Sequence, residues 1–344
     1  MKAEGPLLLL TIDVEEDMPD WCVADQTTVE NAEGLLHVAR SCAELGVRPT
    51  YLCTYPMVEQ ARSATILGEL VAQGDCELGT HLHPWNTPPF RGLPQHPELE
   101  EQRTAYYCRE LEVEVFREKL HNLQQRIEAL SGTRPTSFRT GRFGVSGEVL
   151  QVLAEEGYEV DSSVTPLVHH DGDGGPDFRA APQAPYRANA IDPSRPGELP
   201  LVEIPVSIGL TRRVPEKLMR AYVRIPQSTR VRGLLSRDYL GLLDFAWLYP
   251  PRFELDLMTR VASALTLEGN PVLNVFLHSS ELVAGQSKWV PDAAALERCN
   301  TRLYELLRYC IERLGARPAT LTEAGRELAP RLGPGQRWQT NGVG

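Results

Sequence analysis

The feature of this sequence that most constrains its fold is a series of short apolar runs, each ending in an ionisable residue. The first run, Leu7–Ile12, is followed by Asp13 and Glu15. The later runs end, in chain order, at His81, Arg139, Asp161 and His278. Nearly continuous apolar runs are typical of strands buried on both faces, as in parallel sheets. Because stretches of helical periodicity separate them, we predict an α/β protein with a parallel sheet and right-handed crossovers.

The number of these strand–helix units favours a closed barrel. We count about seven or eight units in one stretch, with no internal repeat. The sequence has no G-x-G-x-x-G after its first strand and no Walker motif, which disfavours nucleotide-binding folds. In α/β barrels the catalytic groups lie at the C-terminal ends of the strands. A barrel would therefore bring the polar residues that end the runs to one rim.

Two histidines, His81 and His83, lie two residues apart at the end of one apolar run. Residues i and i+2 of a strand point to the same face, so both imidazoles can reach one ion. Imidazole and carboxylate are common zinc ligands. The alternative is a strand end with two polar residues facing solvent. Because carboxylates are predicted at the same rim, we favour a divalent metal site that leaves positions for water and a carbonyl oxygen.

The remaining rim residues fit metal-assisted hydrolysis. A second carboxylate can take the proton of the attacking water, and His278 can protonate the departing amine or alkoxide. Arg139 can pair with the base, and Asp161 can orient His278 through its other ring nitrogen. Structural roles remain alternatives: a loop acid or helix cap for Asp13, an ion pair for Arg139, a turn cap for Asp161 and a hydrogen-bonded core position for His278.

Composition excludes several classes of function. The chain has 344 residues, of which 42% are hydrophobic and 24% charged, and its net charge is -11. This charge argues against a nucleic-acid binder held by phosphate contacts. Seven cysteines without paired spacing, and an apolar N-terminal run too short for a signal peptide, predict a cytoplasmic protein with reduced thiols. A basic run over 212–237 is read as a solvated face, with an anionic substrate or a membrane surface as the alternative.

We predict a single barrel domain over residues 1–330. A Gly- and Pro-rich insertion is expected at about 166–200, and a flexible tail at 331–344. Helical periodicity predicts a long helix from about Glu98 to Leu130 and a mostly helical region over 215–268.

Five blocks of the sequence, in order, resemble the motifs of the polysaccharide deacetylase family, also called the NodB-homology domain or carbohydrate esterase family 4. They are Thr11–Glu15, Gly79–His83, Phe138–Gly144, Asp161–Pro166 and Phe276–His278. Each block is weak alone, but the ordered set spans about residues 6–325 and identifies the chain as similar to a divergent member. The resemblance implies a distorted (β/α)7 barrel that removes an acetyl group from an N-acetylated sugar with zinc or a similar ion.

By this resemblance Asp13 is the catalytic base and His278 the acid, while Arg139 supports the base and Asp161 tunes the acid. The chain departs from the family pattern at the metal ligands. The family has an Asp ligand where this chain has Glu15, with Asp17 as a second candidate. The family also spaces its histidines four apart, but Trp85 stands at that position, so His83 becomes the second imidazole ligand.

We therefore predict a cytoplasmic, metal-dependent amide hydrolase acting on an N-acetylated sugar or glycoconjugate, with zinc as the expected ion. The metal ligands would be Glu15, His81 and His83, and the candidate substrate contacts are Trp85, Phe143 and Trp247. Some relatives have lost the metal and act on cyclic amides, so one alternative is a metal-independent or differently selective hydrolase of a non-sugar amide. Another is a non-catalytic carbohydrate-binding relative.

Overall fold

A curled parallel sheet forms the centre of the protein. The computed structural model describes residues 5–18, 27–92, 107–170, 174–225, 244–336 and 338. The strands are β1 (Leu7–Val14), β2 (Thr50–Cys53), β3 (Glu77–Leu82), β4 (Ser137–Thr140), β5 (Val160–Asp161), β6 (Tyr186–Arg187), β7 (Val202–Glu203), β8 (Ile208–Leu210), β9 (Phe245–Trp247), β10 (Val272–His278) and β11 (Arg317–Pro318). The main sheet runs in the order β10-β1-β2-β3-β4-β5-β7-β6, and β11 also pairs with β1.

Helices cover the outer face of this sheet. They are α1 (Glu33–Glu44), α2 (Tyr55–Glu59), α3 (Ala61–Gln73), α4 (Val113–Ser131), α5 (Gly147–Glu155), α6 (Glu216–Arg224), α7 (Leu255–Leu267), α8 (Ala293–Leu314) and α9 (Leu321–Leu328). Short 3-10 turns lie at Glu30–Ala32, Cys108–Glu110, Gly141–Phe143, Ser279–Leu282 and Ala329–Arg331. Within the described residues, no helix is both long and apolar enough to cross a membrane.

The open side of the sheet is narrowed by the segment after β7. The backbone N–H of Ser207 donates to the carbonyl of Asn274 on β10 at 3.0 Å, and the Asn274 N–H donates to Ser207 Oγ at 2.8 Å. These bonds bring the last part of the sheet back toward β10, which pairs with β1 from Leu7↔Val272 to Asp13↔His278. The predicted distorted (β/α)7 barrel is confirmed by this arrangement and by the comparisons below.

The inside of the barrel is apolar at the bottom and polar at the top, because every second residue of a strand faces inward and the inward residues of β1 change from leucine to threonine and aspartate along the strand. On β1, Leu7 and Leu9 pack in a buried cluster with α9, whereas Thr11 Oγ1 donates to Asn274 Oδ1 at 3.0 Å. Glu77 fixes α9 beneath the barrel, because its carboxylate accepts from the Thr322 hydroxyl at 2.7 Å and the Thr322 N–H at 3.0 Å. The polar layer that begins at Thr11 continues upward into the predicted site.

Several predicted element boundaries differ from the structure. Residues 98–106 of the predicted long helix lie outside the described part. From residue 107 onward, a 3-10 turn at Cys108–Glu110 and the extended Glu112 (ψ 139°) precede the helix, which begins at Val113. Within the predicted mostly helical region 215–268, the described residues form α6 and α7 with the short strand β9 between them, and residues 226–243 lie outside the described part. The predicted insertion at 166–200 supplies β6, which pairs antiparallel with β7.

Two predicted surface segments fall partly outside the described residues. Of the predicted tail, Leu332 is buried and the Gly335 N–H donates to the Gly197 carbonyl at 2.8 Å, so the first part of the tail is packed. Residue 337 and residues 339–344 lie outside the described part. Residues 226–237 of the basic run also lie outside the described part, and the earlier residues of the run include α6.

Candidate active site

Three predicted ligands converge at the top of the barrel. Glu15 Oε1 lies 2.8 Å from His81 Nε2 and 3.3 Å from His83 Nε2, and the two Nε2 atoms lie 3.1 Å apart. All three side chains are buried. Ligands held about 2.0–2.1 Å from a tetrahedral zinc ion would lie roughly 3.3 Å from one another, so these separations fit a single zinc-sized ion.

The other ring nitrogens have partners that orient the lone pairs toward this centre. His81 Nδ1 lies 3.0 Å from the carbonyl of Arg139, which can only accept, so Nδ1 donates there and Nε2 is the nitrogen that could bind an ion in place of its contact with Glu15. His83 Nδ1 faces Glu16 Oε1 at 3.5 Å. Glu16 in turn accepts from Thr54 Oγ1 at 3.0 Å and Asn86 Nδ2 at 2.6 Å. The donor set therefore fits a divalent ion.

The buried carboxylates of Glu15 and Glu16 also favour a positive charge at this position. Burial alone would raise the pKa of Glu15, but the charge of His83 and hydrogen bonds from His81 and His83 hold that pKa well below its usual range. Burial lowers the pKa of His83, yet Glu15 and Glu16 outweigh it and raise the pKa to about 9. The carboxylates thus create a demand for positive charge that a proton or a divalent cation satisfies.

Asp13 is held in the polar layer by the buried Arg139. Arg139 Nη1 donates to Asp13 Oδ1 at 2.6 Å, and Nη2 donates to Thr11 Oγ1 at 3.0 Å and Ser162 Oγ at 2.8 Å. The guanidinium thereby occupies one oxygen of Asp13 and neutralises its charge. The other oxygen, Oδ2, lies 3.9 Å from His278 Nε2. Asp13, Glu15 and His278 also bring ligand atoms within 4.8 Å, but Arg139 makes this trio the poorer cation site.

His278 faces Asp13 through Nε2, and its second ring nitrogen lies beside Glu281 rather than Asp161. His278 Nδ1 lies 3.3 Å from Glu281 Oε1, and the His278 backbone N–H donates to Glu281 Oε2 at 2.8 Å. The partner that we predicted for His278 was therefore wrong in this structure, because Glu281 occupies that place.

Asp161 belongs to a separate buried pair. It accepts from Ser163 Oγ at 2.6 Å and is adjacent to Glu203 across the β5–β7 pairing. Burial raises the pKa of both carboxyls, and their proximity raises that of Glu203 well above its usual range. Asp161 is kept apart from His278 by the alternation of side chains along the strand. Ser162, which lies between Asp161 and Ser163, contacts Arg139, so Asp161 points to the other face.

Asp17, the second candidate for the carboxylate ligand, has a structural role. Its carboxylate accepts from the Glu30 N–H at 2.7 Å, the Asn31 N–H at 3.1 Å and the Thr28 hydroxyl at 2.8 Å. It therefore caps the 3-10 turn at Glu30–Ala32 rather than reaching the histidines. Glu15 is the carboxylate that the structure brings to His81 and His83.

The predicted aromatic contacts lie on two sides of the site. Phe143 and Trp247 have ring centroids 6.3 Å apart, and both pack against Phe276. Trp85 instead stacks on the ring of His83 at 4.2 Å. Phe143 follows Arg142 in a turn where both adopt left-handed φ values of 56° and 55°, a strain of about 1–2 kcal/mol for each. The strained turn places Phe143 beside Arg139, whose Cζ lies 5.8 Å from its ring centroid.

A buried lysine holds the loop that carries Trp85. Lys119 Nζ donates to the carbonyls of Pro84, Thr87 and Pro89 at 2.9, 2.5 and 2.6 Å. Three carbonyl acceptors around one ammonium fix residues 84–89, which follow β3. Sequence reasoning missed Lys119, Glu16 and Glu281. Only Glu281 left a signal, because His278-x-x-Glu281 has the spacing of a capping box.

Comparisons with known proteins show the same architecture. No family model matches the chain, and no curated protein matches it by sequence. Among solved structures, a protein assigned as a glycoside hydrolase/deacetylase from Parabacteroides distasonis is 17% identical with a TM-score of 0.65, over 97% of this chain and 74% of that one. The chain has the fold of the polysaccharide deacetylases. The resemblance seen in the sequence motifs is thereby confirmed at the level of fold.

Two further structures share this deacetylase fold. A protein assigned as a polysaccharide deacetylase from Pseudomonas aeruginosa PAO1 is 15% identical with a TM-score of 0.51, over 94% of this chain and 91% of that one. The allantoinase PuuE is 14% identical with a TM-score of 0.53, over 96% of this chain and 92% of that one. Since identities of this size establish fold alone, the activity has to be argued from the site.

Proposed function

We propose that this protein is a divalent-metal-dependent hydrolase that removes the acetyl group from an N-acetylated sugar or glycoconjugate. The observation that carries the proposal is the convergence of Glu15, His81 and His83 beside the Asp13–Arg139 pair, with His278 across the site. These groups lie at the C-terminal ends of four strands, β1, β3, β4 and β10, where α/β barrels carry their chemistry.

Glu15, His81 and His83 would hold the ion. Zinc or a similar divalent ion would supply Lewis acidity for the amide carbonyl and lower the pKa of a bound water. Asp13 would take the proton of the attacking water on Oδ2, because Oδ1 is engaged by Arg139. The fixed guanidinium prevents the carboxylate of Asp13 from rotating.

His278 would deliver a proton from Nε2 to the departing amine nitrogen. Nε2 of His278 and Oδ2 of Asp13 lie 3.9 Å apart, so acid and base would act on neighbouring atoms of the same reacting group. The low exposure of Asp13, His81 and His83 (2%, 1% and 1%) excludes bulk water from the reacting atoms. Phe143 and Trp247 would contact the sugar, and Trp85 would bound the pocket on the side of His83.

A second candidate function is hydrolysis of a non-sugar amide. The fold shared with an allantoinase favours it, because that enzyme is named for a non-sugar substrate. The catalytic groups would keep the same roles, and only the substrate contacts would differ. Carbohydrate binding without turnover remains the weaker alternative, since it gives no reason for a buried Asp13–Arg139 pair facing His278.

The activity is tested by acetate release. Purified protein with zinc, cobalt or nickel is incubated with a panel of N-acetylated sugars and with cyclic and linear non-sugar amides. We expect acetate from at least one sugar, a loss of at least about 100-fold in Asp13→Asn, and no loss in Asp75→Asn, an exposed control. Turnover of non-sugar amides alone would establish the second candidate, and sugar binding without any turnover the third.

Metal dependence is tested separately by metal analysis of the purified protein. We expect one equivalent of metal in the wild type, its loss in His81→Ala, and its retention in His37→Ala, where the histidine is exposed on α1. Full activity of a metal-free preparation would overturn this part of the proposal. The cytoplasmic location stays a prediction of the sequence.

A further inference from the structure

Glu281 lies directly behind His278, on the side away from the reaction centre. It is the third residue of the 3-10 turn Ser279–Leu282, which begins where β10 ends. Its Oε1 lies 3.3 Å from His278 Nδ1, and its Oε2 accepts from the His278 backbone N–H at 2.8 Å. Both oxygens of one carboxyl group therefore contact the same residue, one through the ring and one through the main chain.

A tyrosine fixes the carboxyl group from the other side. Tyr249 donates its hydroxyl to Glu281 Oε1. The Tyr249 ring stacks on Phe276, with centroids 4.7 Å apart, and meets the His278 ring edge-to-face at 6.2 Å. Glu281 is fully buried and Tyr249 is 5% exposed. The packing leaves the carboxyl group no freedom to turn away from His278.

The residue that the sequence pointed to cannot take this place. Asp161 is bonded to Ser163 and lies on the opposite face of β5 from Ser162, which contacts Arg139 in the polar layer. Reaching His278 would require β5 to shift by one residue, which would expel Ser162 and break its bond to Arg139.

We propose that Glu281, supported by Tyr249, is the positioning residue of His278: it holds Nδ1 and directs Nε2 toward Asp13 and the leaving group. The inference rests on the proposed function, in which His278 is the acid. As the C–N bond breaks, its electron pair stays on nitrogen, which takes the proton from Nε2. The contact of Glu281 Oε1 with Nδ1 at 3.3 Å and the Tyr249 ring packed edge-to-face on the imidazole oppose rotation of the ring during the transfer.

A glutamine at position 281 would reverse this arrangement. The backbone N–H of His278 can only donate, so the amide oxygen of Gln must take the place of Oε2. The amide NH₂ would then face Nδ1 and donate to it. Glu281→Gln therefore makes Nδ1 an acceptor, places the neutral ring's proton on Nε2, and removes the carboxyl group that can share a proton with the ring.

The role of Glu281 can be tested without a substrate, by measuring which ring nitrogen of His278 carries the proton. Protein labelled with ¹⁵N-histidine is examined by two-bond ¹H–¹⁵N NMR, and the His278 signals are identified by their loss in His278→Gln. We expect the neutral ring to carry its proton on Nδ1 in the wild type and on Nε2 in Glu281→Gln. Glu118→Gln, the same change on the exposed face of α4, should leave the spectrum unchanged. Identical His278 spectra in the wild type and Glu281→Gln would overturn the proposal.

Kinetics supply the second readout. With a substrate found by the acetate assay, we expect Glu281→Gln to lower kcat about 10–100-fold, to leave KM unchanged and to move the basic limb of the pH profile to lower pH. If Asp161→Asn moves that limb and Glu281→Gln does not, the positioning role returns to Asp161. A wild type that turns over nothing refutes the proposed function, while the tautomer result still decides the role of Glu281.

A milder variant covers the case in which Glu281→Gln does not fold. Tyr249→Phe keeps the carboxyl group and removes only the hydroxyl that supports it. We expect kcat to fall about 2–5-fold with an unchanged KM, an effect of the size of one neutral hydrogen bond. A wild-type kcat with a wild-type pH profile in Tyr249→Phe would count against the proposal.

Discussion

Gly141 makes room for a predicted metal ligand, so adding one methyl group there tests the site directly. A Cβ atom at position 141 would lie 2.4 Å from His83 Cδ2, 3.0 Å from His83 Nε2 and 3.1 Å from the carbonyl oxygen of Leu82. Gly141 does not adopt a left-handed φ, so alanine suits its backbone. Gly141→Ala therefore changes the space beside His83 and little else.

The size of the effect follows from these distances. Carbon atoms in ordinary contact are about 3.5–4.0 Å apart, so the ring of His83 must move by at least about 1 Å. The carbonyl of Leu82 belongs to β3 and cannot move with it. Metal–ligand distances tolerate only about 0.2 Å. We expect zinc affinity to fall at least about tenfold, or about 1.4 kcal/mol, and the overpacked core to lose about 1–3 kcal/mol of stability.

The measurement is a competition titration of zinc against a chelator, with thermal unfolding recorded on the same samples. Gly68→Ala is the matched control, because its Cβ would meet only Leu130 Cδ1 at an ordinary 3.5 Å in the middle of α3. We expect this control to bind zinc normally and to be stabilised by up to about 1 kcal/mol. Wild-type zinc affinity in Gly141→Ala would refute the placement of His83 as a ligand.

Three further predictions concern stability. Burial and Asp161 raise the pKa of Glu203, so the folded protein holds a proton that the unfolded chain releases, and stability falls as pH rises. Glu203→Gln should therefore increase the free energy of unfolding more at pH 8 than at pH 5, and we expect the two gains to differ by at least about 1 kcal/mol. An equal gain at both pH values would contradict this. Lys119→Met leaves three buried carbonyls without their donor and should cost about 2–4 kcal/mol in urea unfolding, with altered tryptophan fluorescence; an unchanged unfolding midpoint would show that the loop does not need the ammonium. In Glu77→Gln one of the two acceptor oxygens becomes an amide nitrogen, which cannot accept, so the hydroxyl and the N–H of Thr322 cannot both keep their bonds. We expect the free energy of unfolding to fall by about 1–2 kcal/mol in the same assay. No loss would mean that α9 is held by apolar packing alone.

Much of the fold could be predicted because its signals are local. Apolar runs such as Leu7–Ile12 and the residues of β10 are buried on both faces, and their composition alone identifies parallel strands. The ends of these strands were equally visible, since Asp13, His81 and His278 each follow an apolar run. By contrast, the start of α4 and the short strand β9 were missed, because extended turns such as Glu112 leave little trace in periodicity.

The sequence by itself determined which residues reach the rim of the barrel, because the order of strands and the position of each strand end are properties of the chain. Only the tertiary structure decided what each polar side chain does there. Side chains alternate across a strand, so Ser162 rather than Asp161 faces Arg139, and the turn after β1 sends Glu15 to the histidines while Asp17 caps a 3-10 turn. The partner of His278 likewise came from a turn, Ser279–Leu282, whose geometry returns Glu281 to the ring. These choices depend on sheet register and turn geometry, which the packing of the whole barrel sets and no short stretch of sequence encodes.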